Sequence, residues 1–431
     1  MHRRQLFLSA GALGLVGAGG LAGGFAVAQG LRISTAAEAW LYALPLIEMA
    51  TTRARFLKAP GARMNALTHG RALSDHTARR VTTPNNDTLY SIAFLDLTQG
   101  PATLTVPATG KRYWSAAIMD MFTNNNAVLG LRTVGGEGGT FTLVGPGQAS
   151  KGPNPVRIAT PHAWLLIRTL VVDDADIPAA HKAQDGFVLT GPKASAPPAY
   201  ATRDASAADY FHTARALLAA DPAPAVDQKL LRKTAAFLGA GPFDAGAADV
   251  GAQQAQMITR FAKGRQTFTD GWAYPRANLG DYGQDHIYRA VVALAGLGAL
   301  PVAEAMYMKA AGDDGAGQFN GDGLYRLTLP AEMPLDGFWS LSMYEATEDG
   351  QYFFTDNPLK RYAIGDRTAG LKREADGSLN LWIGRTDPGG ERSANWLPAP
   401  KSGSFAMYLR TYLPRPELLD GRFRFSAVEK V

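Results

Sequence analysis

The segment Phe338–Arg367, FWSLSMYEATEDGQYFFTDNPLKRYAIGDR, holds the densest structural information in the chain. Trp339, Leu341 and Met343 share one parity, and Phe338, Ser340, Ser342 and Tyr344 share the other. A period of two with an apolar set on one side is the pattern of a strand with one buried face. That face needs a second layer. The segment therefore reads as two strands, a turn and a charged return at the centre of a β-sandwich.

Working outward, everything from Met306 to the end has the same strand character. Upstream, Ala205–Leu300 is rich in alanine and carries apolar residues at helical spacing, such as Tyr210, Ala214, Leu217 and Leu218. Helices are expected there, including Ala252–Gly264 and Gln284–Leu297. Gly191–Thr202, rich in Pro, Ala and Ser, reads as a linker. Further upstream, short strands are expected at Tyr90–Phe94, Ala102–Val106, Arg112–Met121, Thr140–Val144 and Ala163–Val172, with glycine-rich turns between them. Such spacing predicts a second β-sandwich. Thr35–Phe56 predicts an amphipathic helix covering a sheet, kinked or split by Pro45. The chain is thus expected to be mainly β with a helical segment. Its divisions are an export signal (1–28), an N-terminal helical segment (29–79), a first sandwich (80–190), a linker and helical segment (191–305) and a second sandwich (306–431).

The N-terminus has the pattern of a targeting signal. His2-Arg3-Arg4 precedes an apolar, glycine-rich run to Phe25, and Ala26-Val27-Ala28 offers a cleavage site. Arg3-Arg4-Gln5-Leu6-Phe7-Leu8 resembles the bacterial twin-arginine signal. The expectation is a periplasmic or secreted protein cleaved after Ala28, with no membrane span in the mature chain.

Hydrophobic residues make up 46% of the 431 and charged residues 19%, which is a globular composition. A net charge of +5 without dense basic runs argues against nucleic acid as a partner. With no cysteine, thiolate catalysis, thiolate metal sites and disulfides are excluded. The scattered histidines form no HExxH pattern, and no GxSxG, phosphate-binding or dinucleotide-binding motif is present. No cofactor or metal is expected; oligomerisation is left open.

Two runs of motifs resemble known families. Thr83-Pro84-Asn85-Asn86-Asp87-Thr88-Leu89-Tyr90-Ser91, then Leu95-Asp96-Leu97, Tyr113–Asp120, Val144-Gly145-Pro146-Gly147 and Arg168-Thr169-Leu170, resemble the bacterial domain of unknown function 1254. Gly337–Tyr344, Asp356-Asn357-Pro358, Arg361–Arg367, Asp376–Leu379, Asn395–Pro400 and Leu419-Asp420-Gly421 are similar to domain of unknown function 1214. The resemblance implies an immunoglobulin-like sandwich, then α-helices, then a jelly-roll-like C-terminal sandwich. It implies no activity.

Several residues are candidates for a site. Asn85, Asn86 and Asp87 offer oxygens to a polar ligand or cation, or serve a turn through side-chain bonds to backbone N–H groups. Arg361, Asp366 and Arg367 offer an anion site or a structural ion pair. Trp396 lies in a proline-rich loop where it could stack on a ligand, whereas the parity of Trp339 predicts core. The oxygen-rich loop Asp313–Asp322 lacks EF-hand spacing and reads as a hairpin. The leading expectation is a cleft between two sandwiches, lined by Asn85, Asp87, Tyr90, Arg361, Tyr362 and Trp396, that binds a small polar or glycan-like ligand. The alternative is a hydrolase or lyase using facing carboxylates, with Asp87, Asp120, Asp336, Glu345 and Asp356 as candidates.

Overall fold

The computed structural model describes residues 33–79, 82–264, 266–348 and 350–431. The expected export signal lies outside the described residues. The four sheets form two sandwiches, and the fold is mainly β with helices in the middle of the chain.

In the first sandwich, sheet 1 orders the strands Thr68–His69, Thr88–Asp96, His162–Leu170, Trp114–Asp120 and Asn125–Gly130. Sheet 2 orders Pro155–Arg157, Gly139–Val144, Ala102–Val106 and Val188–Thr190. Alternate residues of each strand point between the sheets, so Leu95, Leu104, Trp114, Ile118, Leu165 and Ile167 share one core. In the second sandwich, sheet 3 orders Trp272–Ala273, Ala305–Ala310, Phe405–Tyr412, Trp339–Ala346 and Tyr352–Phe353, with Ala363–Gly365 also paired to Trp339–Ala346. Sheet 4 orders Trp396–Pro398, Leu379–Gly384, Tyr325–Leu329 and Glu429–Lys430. Trp339, Leu341 and Met343 meet Leu327, Leu381 and Ile383 in its core, as their parity predicts.

The helix Thr35–Leu57 runs unbroken through Pro45, contrary to the expected split. Ser34 caps it by accepting the Ala37 N–H at 3.2 Å, and Glu38 and Arg55 sit at the ends that the helix dipole favours. It is also not amphipathic. Helices Ala207–Ala220, Ala245–Gly264 and His286–Ala295 pack around it, and the outer face of sheet 1 contributes Ala117, Met119, Trp164 and Leu166 to the same core. Burial on all sides supplies the tertiary packing that lets a helix tolerate one missing backbone bond.

The single buried face expected for Trp339–Ala346 is a partial reading, because the second parity is buried too. Phe338, Ser340, Ser342 and Tyr344 are at most 4% exposed. They lie on the outer face of sheet 3, against the first sandwich. This seam between sandwiches carries the candidate site.

Candidate functional site

The turn Thr83–Asp87 leads into sheet 1 and docks on the outer face of sheet 3. Asn85 Oδ1 accepts the Asp87 N–H at 2.6 Å, the local bond expected of a turn asparagine. Its Nδ2 reaches out of the turn and donates to Tyr412 Oη at 2.8 Å. Tyr344 Oη donates to Pro84 O at 2.6 Å, and Arg410 Nη2 donates to Thr83 O at 3.1 Å. Asp87 accepts from Ser340 Oγ and Arg367 Nη2, both at 2.7 Å. The turn reading and the outward-reaching reading of Asn85 and Asp87 therefore both hold. Asn86 stays local, donating to Ser74 O at 2.6 Å. Thr83 has φ of 50°, strained for a β-branched residue, and its N–H is fixed to Tyr352 O at 2.8 Å.

Beside this turn the two sheets face each other across polar side chains. Tyr90 and Arg168 are cross-strand neighbours on sheet 1, and Tyr307 and Arg410 are cross-strand neighbours on sheet 3. Both arginines are 5% exposed, while Tyr90 and Tyr307 are half-buried. Arg168 donates from Nη2 to Gly298 O at 2.8 Å and lies 5.6 Å from the Tyr90 ring centroid. Its Nη1 is buried with no hydrogen-bond partner. Arg410 is bonded to Ser342 Oγ and to backbone carbonyls. Lys309, also 5% exposed, donates to Tyr352 Oη at 3.0 Å. All of these partners are neutral, an unusual state for buried cations. The carboxylates nearby are occupied: Glu304 by Arg132 at 2.8 Å and Tyr113 Oη at 2.9 Å, Asp87 by Arg367. Phe338 and Tyr412 stack with centroids 4.0 Å apart, and Arg367 lies 4.4 Å from the Phe338 ring centroid.

Electrostatics follow from this arrangement. Burial opposes the charge of Arg168, and the oxygens of Tyr307, Tyr90, Tyr113 and Tyr412 more than offset it, so its pKa is raised. Burial pushes the Tyr113 and Tyr412 hydroxyls far above their ordinary value, which keeps both neutral, Tyr113 donating to Glu304 and Tyr412 accepting from Asn85. Burial also raises Glu304 despite Arg132. Asp366 is pushed up to about 6 by burial, with Asp87 adding to the shift and Arg367 opposing it. Other buried arginines have different surroundings. Arg289 lies between the Tyr42 and Phe122 rings, at 5.1 and 5.4 Å, within the helical layer. Among the described residues no group of three or more His, Asp and Glu could hold a metal ion.

The structure brings together only part of the residue set expected from sequence. Asn85, Asp87 and Tyr90 lie in the seam. Tyr362 borders it, with Oη 2.8 Å from His76 Nδ1. Arg361 and Trp396 are engaged with each other: Arg361 Nη1 donates to Trp396 O at 2.7 Å. Trp396 is 6% exposed on sheet 4, on the far side of the second core, and its indole N–H donates to Gly384 O at 2.9 Å. Backbone carbonyls thus take up the polar groups of both residues. Of the candidate carboxylates, Asp87 is central to the seam. Glu345 pairs with Arg79, Asp336 pairs with Arg415, and Asp120 caps its own turn through the Phe122 and Asn124 N–H groups. Asp356 is largely exposed, 3.8 Å from His76. Sequence reasoning missed Arg168, Tyr307, Arg410 and Tyr412. A signal was available: each arginine is the lone charge in an otherwise uncharged strand apart from His162, HAWLLIRTL (162–170) and FAMYLRTY (405–412).

Two families of unknown function match the sequence, DUF1254 at residues 64–191 and DUF1214 at residues 304–416. No curated protein matches. Among solved structures, the VPA0106 protein of Vibrio parahaemolyticus is 22% identical with a TM-score of 0.72, over 93% of this chain and 100% of that one, and so shares its fold. A Burkholderia cenocepacia protein is 15% identical with a TM-score of 0.47, over 92% of this chain and 88% of that one. The chain belongs to the proteins that join a DUF1254 domain to a DUF1214 domain, in that order along the sequence.

Proposed function

We propose that this is an exported bacterial protein that binds a small polar ligand in the seam between its two sandwiches. One observation carries the reading. The seam face of sheet 3 is buried yet built from Tyr307, Lys309, Ser340, Ser342, Arg410 and Tyr412, opposite Arg168 and Tyr90. Joining two domains calls for apolar contact, and burying cations whose hydrogen-bond partners are all neutral costs stability. A binding surface accounts for keeping them. Export is supported by Arg3-Arg4 and the Ala26-Val27-Ala28 site. The test is a thermal-shift screen of the purified chain against sugars, anions and divalent metals. A ligand of the native state raises the melting temperature. The double variant Y90F/Y307F is expected to reduce that rise, and a rise unchanged in the variant would place binding elsewhere.

A second reading, a carboxylate-dependent hydrolase or lyase, is favoured by Asp366 alone. Its pKa of about 6 beside the ion-paired Asp87 suits a proton donor. Turnover in a substrate screen that disappears in D366N would support it. Turnover unchanged in D366N would oppose it.

A further inference from the structure

We infer that the seam ligand is a small organic carboxylate, with its anionic end on Arg168 and its carbon body against the half-buried side chains beside it. This rests on the proposed binding function and adds the chemical class. Three observations support it. Arg168 Nη1 is a buried donor without a partner, on a residue 5% exposed. Its other terminal nitrogen is already fixed to Gly298 O at 2.8 Å, so the guanidinium is held in place before any ligand arrives. Arg168, Arg410 and Lys309 bring positive charge into the seam, while Glu304 and Asp87 are matched by Arg132 and Arg367. The surplus favours an anion over a neutral sugar.

The surroundings favour carbon behind the charge. Ile92 lies two residues from Tyr90 on the same face of sheet 1, and Leu297 adjoins the Gly298 carbonyl that holds Arg168. Both are half-buried, as are Tyr90 and Tyr307. Half-buried apolar side chains beside a few convergent polar groups suit a small organic acid better than inorganic phosphate, which has no carbon to set against them.

The purified full chain is titrated with benzoate, phenylacetate, inorganic phosphate and glucose, following heat and melting temperature. The carboxylates are expected to bind, and R168M to weaken them about tenfold or more, the loss of one charge-assisted hydrogen bond. R168K keeps the charge but not the fork and is expected to fall between. Without ligand, R168M is expected to melt close to the parent, because the buried charge it removes has a backbone carbonyl and no carboxylate in hydrogen-bond contact. A purely structural arginine would instead lower the melting temperature when removed. Glucose or phosphate binding in the seam without carboxylate binding would overturn the class and leave the seam site standing. Binding by none of the four, or carboxylate binding unchanged in R168M, would overturn the inference. If R168M does not fold, R168K decides: affinity equal to the parent would overturn it.

Discussion

Sheet 3 has two faces, and both are out of water. One carries Trp339, Leu341, Met343, Met407 and Leu409 against sheet 4. The other carries Ser340, Ser342, Tyr344, Arg410 and Tyr412 against the first sandwich. The same strands thus alternate between an apolar interior and a polar one. On the apolar face, burial itself stabilises and shape is the constraint. On the polar face every donor needs an acceptor, and each satisfied bond returns little beyond what water gave. Atoms left without a partner in the seam include Arg168 Nη1 and Arg367 Nε.

The sharpest contrast is between substitutions on the two faces. L341A removes a fully buried side chain from the apolar face and is expected to cost about 3–5 kcal/mol in urea unfolding. Ligand binding by the molecules that remain folded should be unchanged. D87A on the polar face leaves the mostly buried Arg367 with only its longer 3.4 Å contact to Asp366, for an expected loss of about 3 kcal/mol. Here binding should fall as well, because Asp87 anchors the turn that precedes Tyr90. Equal behaviour of the two variants in binding would erase the distinction between the faces.

R361A tests a residue that lies outside the seam. It removes hydrogen bonds to Trp396 O and Ala394 O, and an unfolding cost of about 1–2 kcal/mol with unchanged ligand affinity is expected. The smallest effect concerns protons. Folding raises Asp366 from 3.8 to about 6, so between those values the native state holds more protons than the unfolded chain. The group's contribution is therefore fully present below about pH 4 and is lost as pH rises through about 6. Its side chain is 32% exposed, so solvent screening limits the expected loss to about 1 kcal/mol. D366N should flatten this slope when melting temperatures are compared across pH 4–7, and a slope identical to the parent's would contradict the assignment.

The seam explains what the sequence revealed and what it hid. Strand periodicity exposed the sandwiches because side-chain parity is local information: Trp339, Leu341 and Met343 announce their core without knowledge of the partner. Asn85 and Asp87 stood out because polar clusters in turns are visible locally. Arg361 and Trp396 stood out for the same reason, yet their polar groups are taken up by backbone carbonyls, which depends on the placement of the Gly384 and Ala394 regions. The second buried face of sheet 3 was not legible. Ser340 and Ser342 look solvent-facing until another domain covers them. Arg168 and Arg410 were visible as odd charges in strands, but their meeting across the seam depends on how two domains separated by about a hundred residues of helices and loops pack together. The Thr35–Leu57 helix was misjudged for a related reason. Its polar residues are few, and its wrapping by helices from the middle of the chain is a tertiary fact.

The most direct test of a binding site in the seam is a crystal of the full chain soaked in bromide, with anomalous scattering measured at the bromine edge. The account predicts a peak within hydrogen-bond reach of Arg168 Nη1, flanked by Tyr90 and Tyr307, that is missing from R168M crystals. Bromide found only on exposed lysines and arginines, with none in the seam, would contradict it.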